Sequence, residues 1–199
     1  MTKTAAPMTS GSIWKQMTFF AMPIFLGNLF QQLYNTVDSL IVGNFLGSSA
    51  LAAVSSSGSL IFMLIGFLSG ISAGAGVIVA RFFGAGDEKN LQRAVHTTVA
   101  FGLVAGVLMT GVGVALSPQI LRWMDTPESV MRESVTYLQI YFAGSLGFVM
   151  YNVLVGILQA VGDSRHPLYY LIVSSVINLV LDLLFITGFH TGVGGAAVA

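Results

Sequence analysis

Residues 59–80 read SLIFMLIGFLSGISAGAGVIVA, an apolar run without one charged side chain. Wound as a helix it rises about 33 Å, enough to cross a hydrocarbon core of about 30 Å. A membrane strand would alternate over about ten residues instead, so the run indicates α-helix in a bilayer. The pattern recurs in both directions along the chain. Charged or Gly/Pro-marked breaks separate predicted spans at residues 17–46, 50–80, 94–116, 135–160 and 168–189, and a sixth starts near Val193. The expected fold is all-α, a polytopic transmembrane helix bundle of about five complete helices plus the start of a sixth. Residues 1–16 form a cytoplasmic N-terminal segment and 17–199 the membrane unit.

Composition agrees. Apolar residues make up 55% of the chain and charged residues 8%, against roughly 25% charged in a soluble domain. The partner implied is the lipid bilayer. Eight basic residues balance eight acidic ones, so no basic patch points to nucleic acid. The absence of cysteine removes disulfide and thiolate chemistry. His96, His166 and His190 stand apart at loop margins, and no nucleophile elbow or phosphate loop is present, so no enzyme activity and no cofactor are expected.

Lys3, Lys15, Arg81, Lys89, Arg93 and Arg165 fall in one set of loops, Arg122 and Arg132 in the other. That asymmetry places the N-terminus in the cytoplasm. Helices one, three and five then run outward. Gly66, Gly70 and Gly74 on helix two and Gly102 and Gly106 on helix three are spaced by four, a pattern that lets helix backbones approach closely in lipid.

Six of the eight carboxylates lie in loops or at helix ends. Asp38 and Asp182 lie inside apolar spans, where an ionised carboxylate costs roughly 2.5–3.5 kcal/mol on insertion scales. No span carries a lysine or arginine to neutralise them. An intramembrane acid of this kind marks an ion or proton site. Asn28, Gln31, Asn35 and Asp38 form a stripe along one face of helix one, and Ser174, Asn178 and Asp182 fall four apart on helix five. Such stripes line a protein interior or a wet cavity, and for the amides alone interhelical hydrogen bonding explains them equally well. Asp182 sits roughly 20 Å into its helix and Asp38 in the outer third of helix one. Adjacency of the two does not follow from sequence. Pro23 removes a backbone hydrogen bond near the inner end of helix one and permits a kink. Tyr137, Tyr141 and Tyr151 could stack on organic cations, or anchor at the interface.

The segments NTVDSLIVGNFLGSSALAAV around Asp38, ARFFGAGDEKN, LQAVGDSRHPL and NLVLDLLFI around Asp182 together resemble the multidrug and toxic compound extrusion (MATE) transporters, in the expected order over nearly the whole chain. The resemblance implies a bacterial plasma-membrane protein of two six-helix lobes, of which this chain is the N-terminal lobe and lacks the C-terminal one. It implies export of organic, often cationic, drug-like compounds in antiport with protons or sodium. By motif, Asp38 matches the helix-one acid, Asn178 and Asp182 the helix-five pair, and Pro23 the helix-one kink. Tyr137 is placed by its distance before Asp182. The coupling-cation site is therefore Asp38, Asn178, Asp182 and Tyr137, with sodium as the candidate metal at Asp38, Asn178 and Asp182, and with Gln31 and Asn35 lining the cavity. Two alternatives are a lipid-linked precursor flippase of the same superfamily, which calls for a basic cavity, and an inactive transporter fragment, which would tolerate replacement of both acids.

Overall fold

The computed structural model describes residues 12–189 and 193–198. Most of the predicted N-terminal segment 1–16, and His190, lie outside these residues. The helical stretch Ile13–Gly84 is two helices, α1 (13–46) and α2 (Ala50–Gly84), because Gly47 takes φ 88° and ψ 178°. That conformation is nearly closed to residues with a Cβ. The chain doubles back there, so that a Cβ at Gly43 would meet Leu51 at 3.4 Å. Val42 and Ala50 pack together at the tip, with Leu46 and Val54 against them. The remaining elements are α3 (Glu88–Trp123), α4 (Glu128–Ala143), α5 (Ser145–Ala160) and α6 (Arg165–Leu183), which runs into a π turn, Leu184–Gly188. A short α7 (Val193–Val198) follows where the sixth span was expected. The described residues contain no strand.

Two turns share one construction. After α2, Gly86 is left-handed (φ 67°) and Asp87 caps α3, accepting from the Asn90 backbone at 3.1 Å and from the Asn90 amide at 2.6 Å. After α5, Gly162 is left-handed (φ 89°), and Asp163 accepts from the backbones of Arg165 and His166 at 3.2 and 3.1 Å and pairs with the His166 ring. Gly supplies the conformation that ends one helix and Asp covers the free N–H groups that start the next. These are the Gly-Asp pairs of the ARFFGAGDEKN and LQAVGDSRHPL segments.

Among the described residues, three helices are long and apolar enough to cross a membrane: α2, α3, and α6 with its π turn. The fourth predicted span, 135–160, is a correction: it is not one straight helix but α4 and α5, bent by 48° at Gly144, a pair that together is long and apolar enough for one broken span. Helix α1 falls short on apolarity because Asn28, Gln31, Gln32, Asn35 and Asp38 lie within it. It packs along α6, as shown below.

The glycine expectation divides. Gly102 and Gly106 are buried where α3 crosses α5, and a Cβ would come within 2.9 Å of Val153 and 2.6 Å of Leu146 respectively. Gly66, Gly70 and Gly74 meet nothing within 4 Å, so that face of α2 packs on no described helix. The close approach on α2 belongs to Gly76, whose Cβ would lie 3.4 Å from the Gly156 carbonyl. Leu68, Val149 and Val153 form one core cluster, and Leu121, Leu138 and Phe142 another. Together they fix the broken span against α2 and α3.

Candidate functional site

Helices α1 and α6 run parallel in one register. Tyr34 meets Asn178 across an offset of 144 residues. The same offset pairs Gly27 with Leu171, where a Cβ would sit 3.6 Å from the leucine, and Asp38 with Asp182, which act on each other electrostatically. At the N-terminal ends of the two helices the Arg165 guanidinium stacks 4.4 Å above the Phe19 ring. Because one helical turn is 3.6 residues on both helices, residues at i, i+4 and i+7 on α1 face their counterparts on α6. Of the two polar stripes, only Asp38, Asn178 and Asp182 lie on this α1–α6 seam; Asn28, Gln31, Asn35 and Ser174 are exposed.

Toward the C-terminal ends of α1 and α6 lies the acidic cluster. Asp182 is 1% exposed and no N–H or hydroxyl group donates to its carboxylate oxygens, so its partner is the Asp38 carboxyl, with which it can share a hydrogen bond when one of the two is protonated. Asp38 is half-buried and faces it. Tyr137 on α4 enters the electrostatic range of both acids and packs against the α1–α2 tip. Asn178 lies one turn inward, its Oδ1 accepting from the Tyr34 hydroxyl at 2.8 Å. The π turn begins two residues after Asp182, and Phe189 N–H reaches the Leu184 carbonyl at 3.1 Å. Such single-turn widenings recur beside functional groups.

The structure therefore brings Asp38, Asn178, Asp182 and Tyr137 together. It places the other expected residues elsewhere. Gln31 and Pro23 line a separate cavity of about 590 Å³ between the N-terminal parts of α1 and α6 and the C-terminal parts of α2 and α5, called the inner cavity below. Asn35 is exposed and donates to Gln32 Oε1 at 3.4 Å. Between Ile13 and Gly84 the only non-helical dihedrals are at Gly47, so α1 as seen has no break at Pro23. Tyr141 contacts the rings of Phe142 and Phe148, and Tyr151 reaches the inner cavity. Sequence reasoning missed Tyr34. Its position four residues before Asp38 is the signal that puts it on the acid's face.

The donor set suits a proton or a hard cation that takes oxygen ligands: two carboxylates, the Asn178 amide oxygen and the Tyr137 hydroxyl. Among the described residues no group of three or more His, Cys, Asp or Glu gathers, which leaves Asp38 and Asp182 as the only acids in the cluster. No cationic side chain is among the groups acting on either.

Fold and site together define a multi-pass helical membrane protein with an ionisable cluster in its interior. The MatE family model matches residues 23–184, and the chain belongs to that family, whose members are transporters. It is 37% identical over 192 residues to "Probable multidrug resistance protein YoeA" of Bacillus subtilis, covering 94% of this chain and 42% of that protein. It is 36% identical over 193 residues to "Probable multidrug resistance protein YpnP" of the same organism, covering 97% and 43%. Among solved structures, "Crystal structure of MATE in complex with MaD3S" superposes with a TM-score of 0.89 at 28% identity, over 98% of this chain and 44% of that one. The chain thus spans somewhat less than half the length of the relatives it matches.

Proposed function

We propose that this chain is the N-terminal lobe of a secondary exporter of organic, often cationic compounds, and that Asp38 and Asp182, with Asn178 and Tyr137, take up the coupling proton or sodium ion. The observation that carries the reading is the 1% exposed carboxylate of Asp182, reached by no N–H or hydroxyl donor and facing a second acid. Two ionised carboxylates at close range inside a membrane cannot both persist without compensation. A bound proton or sodium ion supplies it. The basic-residue asymmetry supports a plasma-membrane orientation with the N-terminus inside.

Ion arrival changes the charge at the top of the α1–α6 seam. Pro23, lower on α1, lacks the N–H that would tie it to the preceding turn, so α1 bends there at least cost. Coupling follows when drug and ion bind the two resulting shapes differently, since a ligand shifts an equilibrium only by its differential affinity. Alternating access would then rock this lobe against a second one.

The test is ethidium efflux from cells expressing the full-length protein, wild type beside Asp38→Asn and Asp182→Asn, with proton and sodium gradients collapsed separately. Efflux should fall to background in both variants, and the gradient whose collapse stops the wild type names the ion. Undiminished, gradient-dependent efflux by Asp182→Asn would sink the proposal.

A further inference from the structure

The acidic cluster and the inner cavity lie on the same seam, separated by one layer. Gln31 on α1 and Leu171 on α6 are the outermost cavity-lining residues of those helices. Asp38 and Asp182 lie about 10 and 16 Å further out along their helices. Between the two stands the half-buried Tyr34–Asn178 hydrogen bond, 2.8 Å long. Below it, the cavity wall carries uncharged polar groups, among them Asn28, Gln31, Asn152 and Gln159, and no charged residue. Above Asp38 the interior is closed differently. Val42, one turn outward and 1% exposed, packs on Ala50 with Leu46 and Val54 around them. Within this lobe, an apolar contact therefore stands on the outer side of the cluster and the Tyr34–Asn178 hydrogen bond on its inner side.

We propose that the Tyr34–Asn178 pair is a latch, and that the cavity beneath it is the route by which the coupling cation leaves the carboxyl pair toward the inner face. The inference rests on the reading of Asp38 and Asp182 as the coupling site. A cation moving inward finds oxygen and amide groups that can replace its hydration, and meets no fixed positive charge. Tyr34 is a positioning residue. Its hydroxyl holds the Asn178 amide across the seam, and rotation of either side chain opens the passage. One neutral hydrogen bond is weak enough, net of water's competition, for that opening to be thermally accessible.

The test uses the full-length protein in proteoliposomes under an imposed proton or sodium gradient without drug, with the ion followed by an entrapped dye. Tyr34→Phe removes the donor and keeps the ring. The expected result is drug-independent ion leak roughly two- to tenfold above wild type, the population shift that losing one net hydrogen bond allows. The double variant Tyr34→Phe with Asp182→Asn should return the leak to background. Wild-type tightness in Tyr34→Phe would overturn the latch, and so would a leak undiminished in the double variant. Failure of the underlying reading looks different, as full drug efflux by Asp182→Asn alone. If Tyr34→Phe does not fold, Gln31→Cys in an otherwise cysteine-free background keeps the route testable. A membrane-impermeant thiol reagent should label it from the inner side, and labelling only from the outer side refutes an inward cavity.

Discussion

Substituting alanine at Gly106 tests how the broken span is held. An added Cβ would lie 2.6 Å from Leu146 Cδ1 and 3.1 Å from Leu146 Cα. The methyl group can swing away; the backbone Cα can only move with α5. Gly111, on the same helix, meets nothing within 4 Å. Both substitutions gain the same helix-propensity term of about 1 kcal/mol, so the difference between them isolates packing. Overpacking a filled contact costs typically 1–3 kcal/mol. Gly106→Ala should therefore be less stable than Gly111→Ala by about 1–3 kcal/mol, with Gly111→Ala at or above wild type. Unfolding of the full-length protein in mixed micelles, titrated with a denaturing detergent, reads both. Equal stability of the two variants, or a more stable Gly106→Ala, would refute the contact between α3 and the start of α5.

Further outcomes follow from other parts of the lobe. Gly47→Ala has open space around the new methyl but a backbone conformation closed to it, so it should cost roughly 1–3 kcal/mol in the same unfolding assay; wild-type stability would mean that the α1–α2 turn is built some other way. Asp87 is held below the usual carboxylate range by the Asn90 side chain and backbone, and secondarily by Arg93. Its lowered value means that the cap contributes above the unfolded-state value near 4 and is lost as pH falls through the folded one. The melting-temperature gap between wild type and Asp87→Ala should be full at pH 7 and close on acidification toward pH 3; a pH-independent gap would show that the charge plays no part. Asn178→Leu should abolish gradient-driven ethidium efflux while surface expression stays near wild type, measured by labelled-protein blots; retained efflux would remove Asn178 from the site.

The fold class was legible because apolar runs and charged breaks are local properties, read one segment at a time. What sequence left open were the features that depend on a partner segment. Asp38 and Asp182 each announce themselves by being charged inside an apolar span, but their meeting depends on the parallel register of α1 and α6, and no local pattern encodes an offset of 144 residues. Gly144 gave no warning either, since YFAGSLGF is as apolar as a straight helix would be. The glycine triplet on α2 misled for the same reason. Spacing by four predicts a smooth face, and whether another helix covers that face is decided elsewhere in the chain. Gly47 was legible only as a boundary, because FLGSSA contains both a helix stop and polar serines.

The seam also explains why this lobe must be assembled before its chemistry exists. Helix α1 carries five strongly polar side chains between Asn28 and Asp38 and is the one long helix not apolar enough to be held by lipid alone. Of the five, only Asp38 is half-buried, facing α6 along the 144-residue register, while Asn28, Gln31, Gln32 and Asn35 are exposed on this lobe. The neighbours that hold the helix are α6 along that register and α2 through the Gly47 turn. Helix α2 is in turn locked by the close contacts of Gly76 and Gly156 between α2 and α5. Loosening that crossing would release α1 toward lipid, where its polar groups are costly, and the effect should appear at the acidic pair before it appears in the other helices. A helix that depends on its partners in this way can also shift against them when the charge between them changes, which is what a coupling element requires.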